Sequence, residues 1–166
     1  MLCKYYMCCE IEIFVPRLPD LKAVASSYPE IQFILPAIGW PIDLTDAGHR
    51  DWRRDVEALS SCENVAVKIF GMECIFRLNR TVDEIRPWIL DTIELFRPDR
   101  CKFASHMPIV ELACSFQNLY CAYLDVVSDF STSEKQKLCH DTATMIFGLA
   151  NPDRSQQEGG QIGRLG

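Results

Sequence analysis

A fourfold alternation constrains this chain most. Four short β-rich runs, Glu10–Val15, Ile31–Leu35, Val65–Ile69 and Cys101–Ser105, are each followed by residues whose apolar positions recur at helical spacing. Those helical faces are Leu21, Val24, Ala25 and Tyr28, then Trp52, Val56 and Leu59. Next come Ile85, Ile89, Ile93 and Phe96, and last Leu119, Tyr123 and Val127. Thr81-Val-Asp-Glu84 is a capping box that opens the third helix. Ser131-Thr-Ser-Glu134 is a second one, and predicts a terminal helix running to about Phe147, where Gly148 stops it. Strands alternating with amphipathic helices mean a parallel sheet with right-handed crossovers. The expected class is therefore α/β, with four βα units plus a terminal helix. Four units cannot close an eight-stranded barrel, which takes about 250 residues. Helices then cover one face of the sheet, and the other is expected to look towards water.

A chain of 166 residues that is 48% hydrophobic can bury one sizeable core, so residues 1–150 are read as one unit. The tail 151–166, with Gln156-Gln-Glu-Gly-Gly160, is polar and glycine-rich and is expected to be disordered. A net charge of −6 without a basic stripe argues against a nucleic-acid surface. No apolar run approaches the roughly 18 residues that a membrane span needs. The first residues lack the apolar core and cleavage site of a secretion signal, so a cytoplasmic location is expected. Nine cysteines are scattered with no Cys-x-x-Cys pair, which reads as reduced thiols used as small apolar residues and not as a zinc site.

The stretch Arg100–Pro108 (Arg-Cys-Lys-Phe-Ala-Ser-His-Met-Pro) ends a strand in polar residues, and in barrels and open α/β sheets sites gather at such carboxyl ends. His106 is the one histidine so placed, and is the candidate general base or substrate hydrogen-bond donor. Ser105 is its neighbour, a candidate for substrate binding; adjacent strand residues point to opposite faces, which argues against a nucleophile–base pair. Lys68 interrupts the apolar run Val-Ala-Val-Lys-Ile, and from a barrel interior could hold an anionic substrate. Arg17, at the end of the first strand, is a candidate for gripping a substrate carboxylate. Trp40 lies in the turn-rich loop Pro36-Ala-Ile-Gly-Trp-Pro-Ile-Asp43, where ligand contacts or a lid could sit. Glu10 and Glu12 share one strand face, but near the strand's beginning, where stability is the better reading. His49, among Asp46, Arg50, Asp51 and Arg53, reads as part of a solvated face, and His140 as a helix-surface residue.

From Leu18 to about Leu149 the chain resembles the C-terminal half of the amidohydrolase-related family, metal-dependent hydrolases of TIM-barrel fold. The residues that carry the resemblance are Leu18-Pro-Asp-Leu, Tyr28-Pro29, Ile38-Gly-Trp-Pro41, Cys62-Glu-Asn-Val-Ala-Val-Lys68, Arg86-Pro-Trp88, Pro98-to-Pro108 and His140-Asp-Thr-Ala143, in that order. The resemblance implies the second half of a (β/α)8 barrel. It implies hydrolysis of lactone, ester or amide bonds, or decarboxylation, of small carboxylated or cyclic substrates. The family's cofactor is a divalent metal such as zinc, whose site begins with a His-x-His pair on the first barrel strand. This chain corresponds to the fifth strand onward. Arg17 stands near where many relatives carry a histidine, Ala37 where another often lies, and His106 where the family has its metal-binding or proton-shuttling aspartate. No metal ligand set is expected in this chain. The expected partners are a small-molecule substrate and either a second copy or a complementing half-barrel. The rival expectation is a catalytically inactive remnant, or an interaction module that reuses the fold.

Overall fold

The computed structural model describes residues 7–78 and 80–149. Its centre is a four-stranded sheet of strands β1 (Cys9–Glu10), β2 (Phe33–Pro36), β3 (Val65–Ile69) and β4 (Cys101–Phe103). The strands are parallel and lie in chain order, β1-β2-β3-β4. Between them run α1 (Leu18–Ser27), α2 (Asp46–Ser60), a single-turn α3 (Met72–Ile75) and α4 (Val82–Phe96). After β4 come α5 (Phe116–Val126), α6 (Thr132–Gln136) and α7 (Thr142–Phe147). The expected α/β alternation is present, and the tail 151–166 lies outside the described residues.

Strand periodicity divides the sheet cleanly. Phe33, Leu35, Val65, Val67, Ile69, Cys101 and Phe103 face the helices and form one core with Leu21, Ala25, Trp52, Val56, Ile89, Ile93 and Phe96. Residues of the other parity, Glu10, Ile34, Ala66, Lys68 and Lys102, share the opposite face. A doubly wound sheet would have helices on both sides. Here every crossover returns on the same side, as right-handed connections between consecutive neighbours require.

Four expectations need correction. The first strand was expected over Glu10–Val15; its ladder ends with the Ile11 amide on the Ile34 carbonyl at 3.2 Å. Beyond that point β2 has stopped at Pro36 and turned, so Glu12 to Phe14 find no strand to pair with. The second strand runs Phe33–Pro36, not Ile31–Leu35, and by a similar margin the fourth ends at Phe103, not Ser105. The terminal helix is interrupted by a widened turn at Lys137–Asp141. That turn buries Leu138 completely, and Thr142 after it donates its hydroxyl to the Pro98 carbonyl at 2.9 Å. Last, the free face of the sheet is not open to water at its middle. Ile34 and Ala66 are buried, and Lys102 is only 5% exposed. The Glu10–Lys68 ion pair spans from β1 to β3 across β2, and the Phe147 ring of α7 lies 4.7 Å from the Lys102 ammonium.

The amino ends of the strands are stitched by two side chains. The Asn64 amide donates to the carbonyls of Ala25, Tyr28 and Ile31, satisfying the last turn of α1. The Arg100 guanidinium donates to those of Ser60, Cys62 and Val65. Below the site, then, backbone acceptors are filled by fixed donors. The opposite, carboxyl end is built differently.

Candidate active site

At the carboxyl end of β3 the chain passes Phe70 and turns at Gly71, whose φ of +75° suits glycine. A Cβ there would sit 3.4 Å from the Trp40 ring. The turn starts α3 and so delivers Glu73 and Cys74 to the sheet's end. From β4 the ladder continues to the Ala104 amide, and the chain then reaches His106 in the left-handed region, φ 56°. A non-glycine residue held there costs on the order of 1–3 kcal/mol and marks a place the surroundings over-determine. Tyr123 of α5 donates its hydroxyl to the Ala104 carbonyl at 3.4 Å and stacks on Phe103, fixing the approach from behind. Burial pushes that phenol well above its usual range, so it stays a donor.

His106 Nδ1 is hydrogen-bonded to the Glu73 carboxylate. The Glu73 side chain is 5% exposed and that of His106 17%. A carboxylate only accepts, so with Glu73 ionised Nδ1 carries the hydrogen and Nε2 keeps a lone pair. Phe70 lies against this imidazole, edge to face at 4.9 Å between ring centroids. The same ring meets Lys68 Nζ at 4.6 Å on its other neighbour. Lys68 is ion-paired with Glu10, and Lys102 is its register partner on β4. Burial, with the repulsion of Lys68, lowers the Lys102 ammonium to about 8. Among the described strand residues, the inner face thus carries the amines of Lys68 and Lys102 and the carboxylate of Glu10.

A second strained turn closes the same end at β2. Ala37, Ile38 and Trp40 have φ near +50° and Gly39 has φ +81°. For β-branched Ile38 that is a genuine outlier. Trp52 of α2 holds it in place, donating Nε1 to the Ile38 carbonyl at 2.9 Å. The turn sets Trp40 between Phe14 and Phe70, with a buried Nε1 that meets no acceptor among the described residues.

The expected site residues therefore separate. His106, Lys68 and Trp40 converge around Phe70. The half-buried Ser105 accepts the Met107 amide on its hydroxyl at 3.4 Å. Arg17 is exposed and turned to Asp20 within its own helix start. Glu73 and Cys74 escaped the sequence reading, as did Lys102. The one signal for Glu73 was a carboxylate set among apolar residues just after a strand, in Ile-Phe-Gly-Met-Glu-Cys-Ile. Glu10, read as a stability residue, is Lys68's counter-ion. His49 is not part of a solvated face. It packs between Trp52 and Trp88, with Nε2 3.0 Å from Asp91, and so joins α2 to α4. His140 is a surface residue bonded to Asp141.

A family-type metal centre does not fit these positions: Arg17 is engaged by Asp20, Ala37 has no donor, and only His106 offers a ligand atom.

The amidohydrolase family model matches residues 8–149, and the chain belongs to that family. It is 29% identical over 138 residues to the uncharacterised protein y4mH of Sinorhizobium fredii, covering 83% of this chain and 46% of that one. It is 25% identical over 153 residues to L-fucono-1,5-lactonase of Burkholderia multivorans, covering 86% and 52%. Among solved structures it is similar to an amidohydrolase of B. multivorans with bound zinc, at TM-score 0.81 and 21% identity over 89% of this chain and 54% of that one. A putative 2-pyrone-4,6-dicarboxylic acid hydrolase of Pseudomonas putida gives TM-score 0.73 and 20% identity, over 90% and 55%. The chain spans about half the length of the curated relatives it matches.

Proposed function

We propose that this chain is the second half of a (β/α)8 barrel and that its mouth hydrolyses a small carboxylated or cyclic ester, with His106 as general base. The observation that carries the reading is the Glu73–His106 pair. A buried carboxylate orients an imidazole at the carboxyl end of the sheet, where α/β enzymes keep their chemistry. Nε2 of His106 removes a proton from water, the hydroxide attacks the ester carbonyl, and the proton returns to the departing alkoxide. Glu73 holds the ring and stabilises the imidazolium that forms in between. Lys68, with Lys102 behind it, favours an anionic substrate, and Trp40 Nε1 offers a donor that has no acceptor of its own among the described residues. The strained turns at Ile38 and His106 fit a mouth whose geometry is held by its supports. The lactonase and pyrone-dicarboxylate hydrolase relatives support this substrate class.

The test is turnover of sugar lactones and pyrone carboxylates by the purified chain, compared with His106→Ala. A general base contributes about 10²–10⁴-fold, so His106→Ala should lose at least about a hundredfold in kcat/KM with unchanged circular dichroism. Equal rates for the two would remove His106 from the chemistry. The half-length match supports a second reading, an interaction module that reuses the fold. That reading gains if no ester is turned over at any pH.

A further inference from the structure

We infer that Glu73, Cys74 and His106 form a binding site for a borderline divalent cation of the zinc kind, separate in its ligand set from the centre that the family resemblance implies. Glu73 Oε, Cys74 Sγ and His106 Nδ1 or Nε2 all come within 4.8 Å of one another. A tetrahedral zinc with bonds of about 2.0–2.3 Å sets its ligand atoms roughly 3.5 Å apart, so Cys74 Sγ needs to close by up to about 1 Å while the hydrogen-bonded Glu73–His106 pair opens slightly. The freedom to do so is on Cys74, which is exposed, while the other two are held.

Three features point to a cation. The donor types are a carboxylate, a thiol and an imidazole, the ones zinc selects, and three protein ligands leave the fourth position for water or substrate. Glu73 is 5% exposed, and among the described residues the basic group its carboxylate pairs with is His106. Each ligand is also carried by a defined backbone turn. Gly71 starts the turn that carries Glu73 and Cys74 next to each other, and the left-handed φ of His106 aims the ring at them.

Binding through Nδ1 replaces the proton now shared with Glu73, and binding through Sγ replaces the thiol proton; both leave to solvent. Nδ1 cannot hold the metal and the hydrogen bond to Glu73 together. A cation on Nδ1 therefore takes the place of the orienting contact that the proposed hydrolysis uses. The site itself does not rest on that hydrolysis.

The experiment is binding of zinc, and of cobalt as its coloured analogue, to chelator-stripped protein. Calorimetry and the ultraviolet thiolate-to-cobalt charge-transfer band are the readouts, neither of which depends on activity. Wild type should bind about one equivalent and show the band. Cys74→Ser should abolish the band, and both Cys74→Ser and His106→Gln should weaken zinc by at least about tenfold. Cys121→Ser, an exposed thiol on α5, should change nothing. No binding by wild type, or a band that survives Cys74→Ser, overturns the site. So does a band lost equally in Cys121→Ser, which marks adventitious thiol binding. Should His106→Gln fail to fold, Cys74→Ser at the exposed position decides alone. A chain that binds zinc but turns over no ester keeps the site and loses the hydrolase; turnover without binding does the reverse.

Discussion

Lys102 is the residue at which burial and charge conflict most openly. It is 5% exposed on the inner face, faced by Lys68 from β3, Glu10 and Cys8 from the β1 side and the Phe147 ring from α7. Its folded value of about 8 lies below the unfolded 10.5. Between those values the unfolded chain binds more protons than the native one, so Lys102 makes stability rise with pH from about 8 to 10.5. Below about 8 the native ammonium carries the whole penalty. The buried Cys101 and Tyr123, both raised, act oppositely above pH 9 to 10, since the unfolded chain then loses their protons first. The clean measurement is thus a difference. Lys102→Met should be the more stable form at pH 7, by up to about 3 kcal/mol, and the gap should narrow towards pH 10. Urea midpoints across that range check it, and a gap constant with pH would mean the amine titrates normally. The same residue shows why parity alone undersold the inner face. Val-Ala-Val-Lys-Ile and Cys-Lys-Phe each reveal an alternating lysine, but only the register places Lys68 and Lys102 side by side.

At the scale of elements, the two ends of the strands obey different logic. The amino ends are tied by Asn64 and Arg100, each serving three carbonyls. Arg100→Met removes the guanidinium that lies 5.2 Å over the Phe96 ring and strips donors from three partly buried acceptors. A charged donor of this kind is worth about 1.5–3 kcal/mol per bond lost, and the shared geometry makes about 3 kcal/mol a reasonable total. Thermal or urea unfolding should show that loss, while the His106 site at the far end should bind zinc as before. A loss below about 0.5 kcal/mol would mean that water replaces the guanidinium. The capping boxes were readable because their partners sit three residues apart, and Ser131 accepts the Glu134 amide at 3.3 Å while Glu134 returns to the Ser131 amide at 2.9 Å. Ser131→Ala should cost about 1 kcal/mol. The single turn of α3 was not readable. Four residues show no helical period, and α3 exists because Gly71 turns the chain and Met72 fills the core.

At the scale of the molecule, a sheet of consecutive parallel strands has, among the described residues, two free edges, β1 and β4. On the half-barrel reading those edges meet the strands of another half. α7 meets only part of this need, since its Phe147 reaches Lys102 at one edge. The expected outcome is self-association, or pairing with a supplied first half, in light scattering or sedimentation at micromolar concentration. A cooperative monomer would set the half-barrel reading aside.

What the sequence determined by itself follows from local or periodic causes. Four strand–helix alternations, two capping boxes and the parity of each strand specify a parallel sheet with helices on one face, because each signal needs only residues a few places apart. His106 was legible as a polar residue at a strand's end. Its meaning was not, since Glu73 lies 33 positions earlier and no period links a histidine after β4 to a carboxylate after β3. Only the parallel packing of β3 beside β4 brings their carboxyl ends together, and with them the two turns that carry the pair. The tertiary structure also decided which strand ends were real: β1 stops where β2 turns away, whatever its alternation permits, because a strand requires a neighbour's amides and carbonyls.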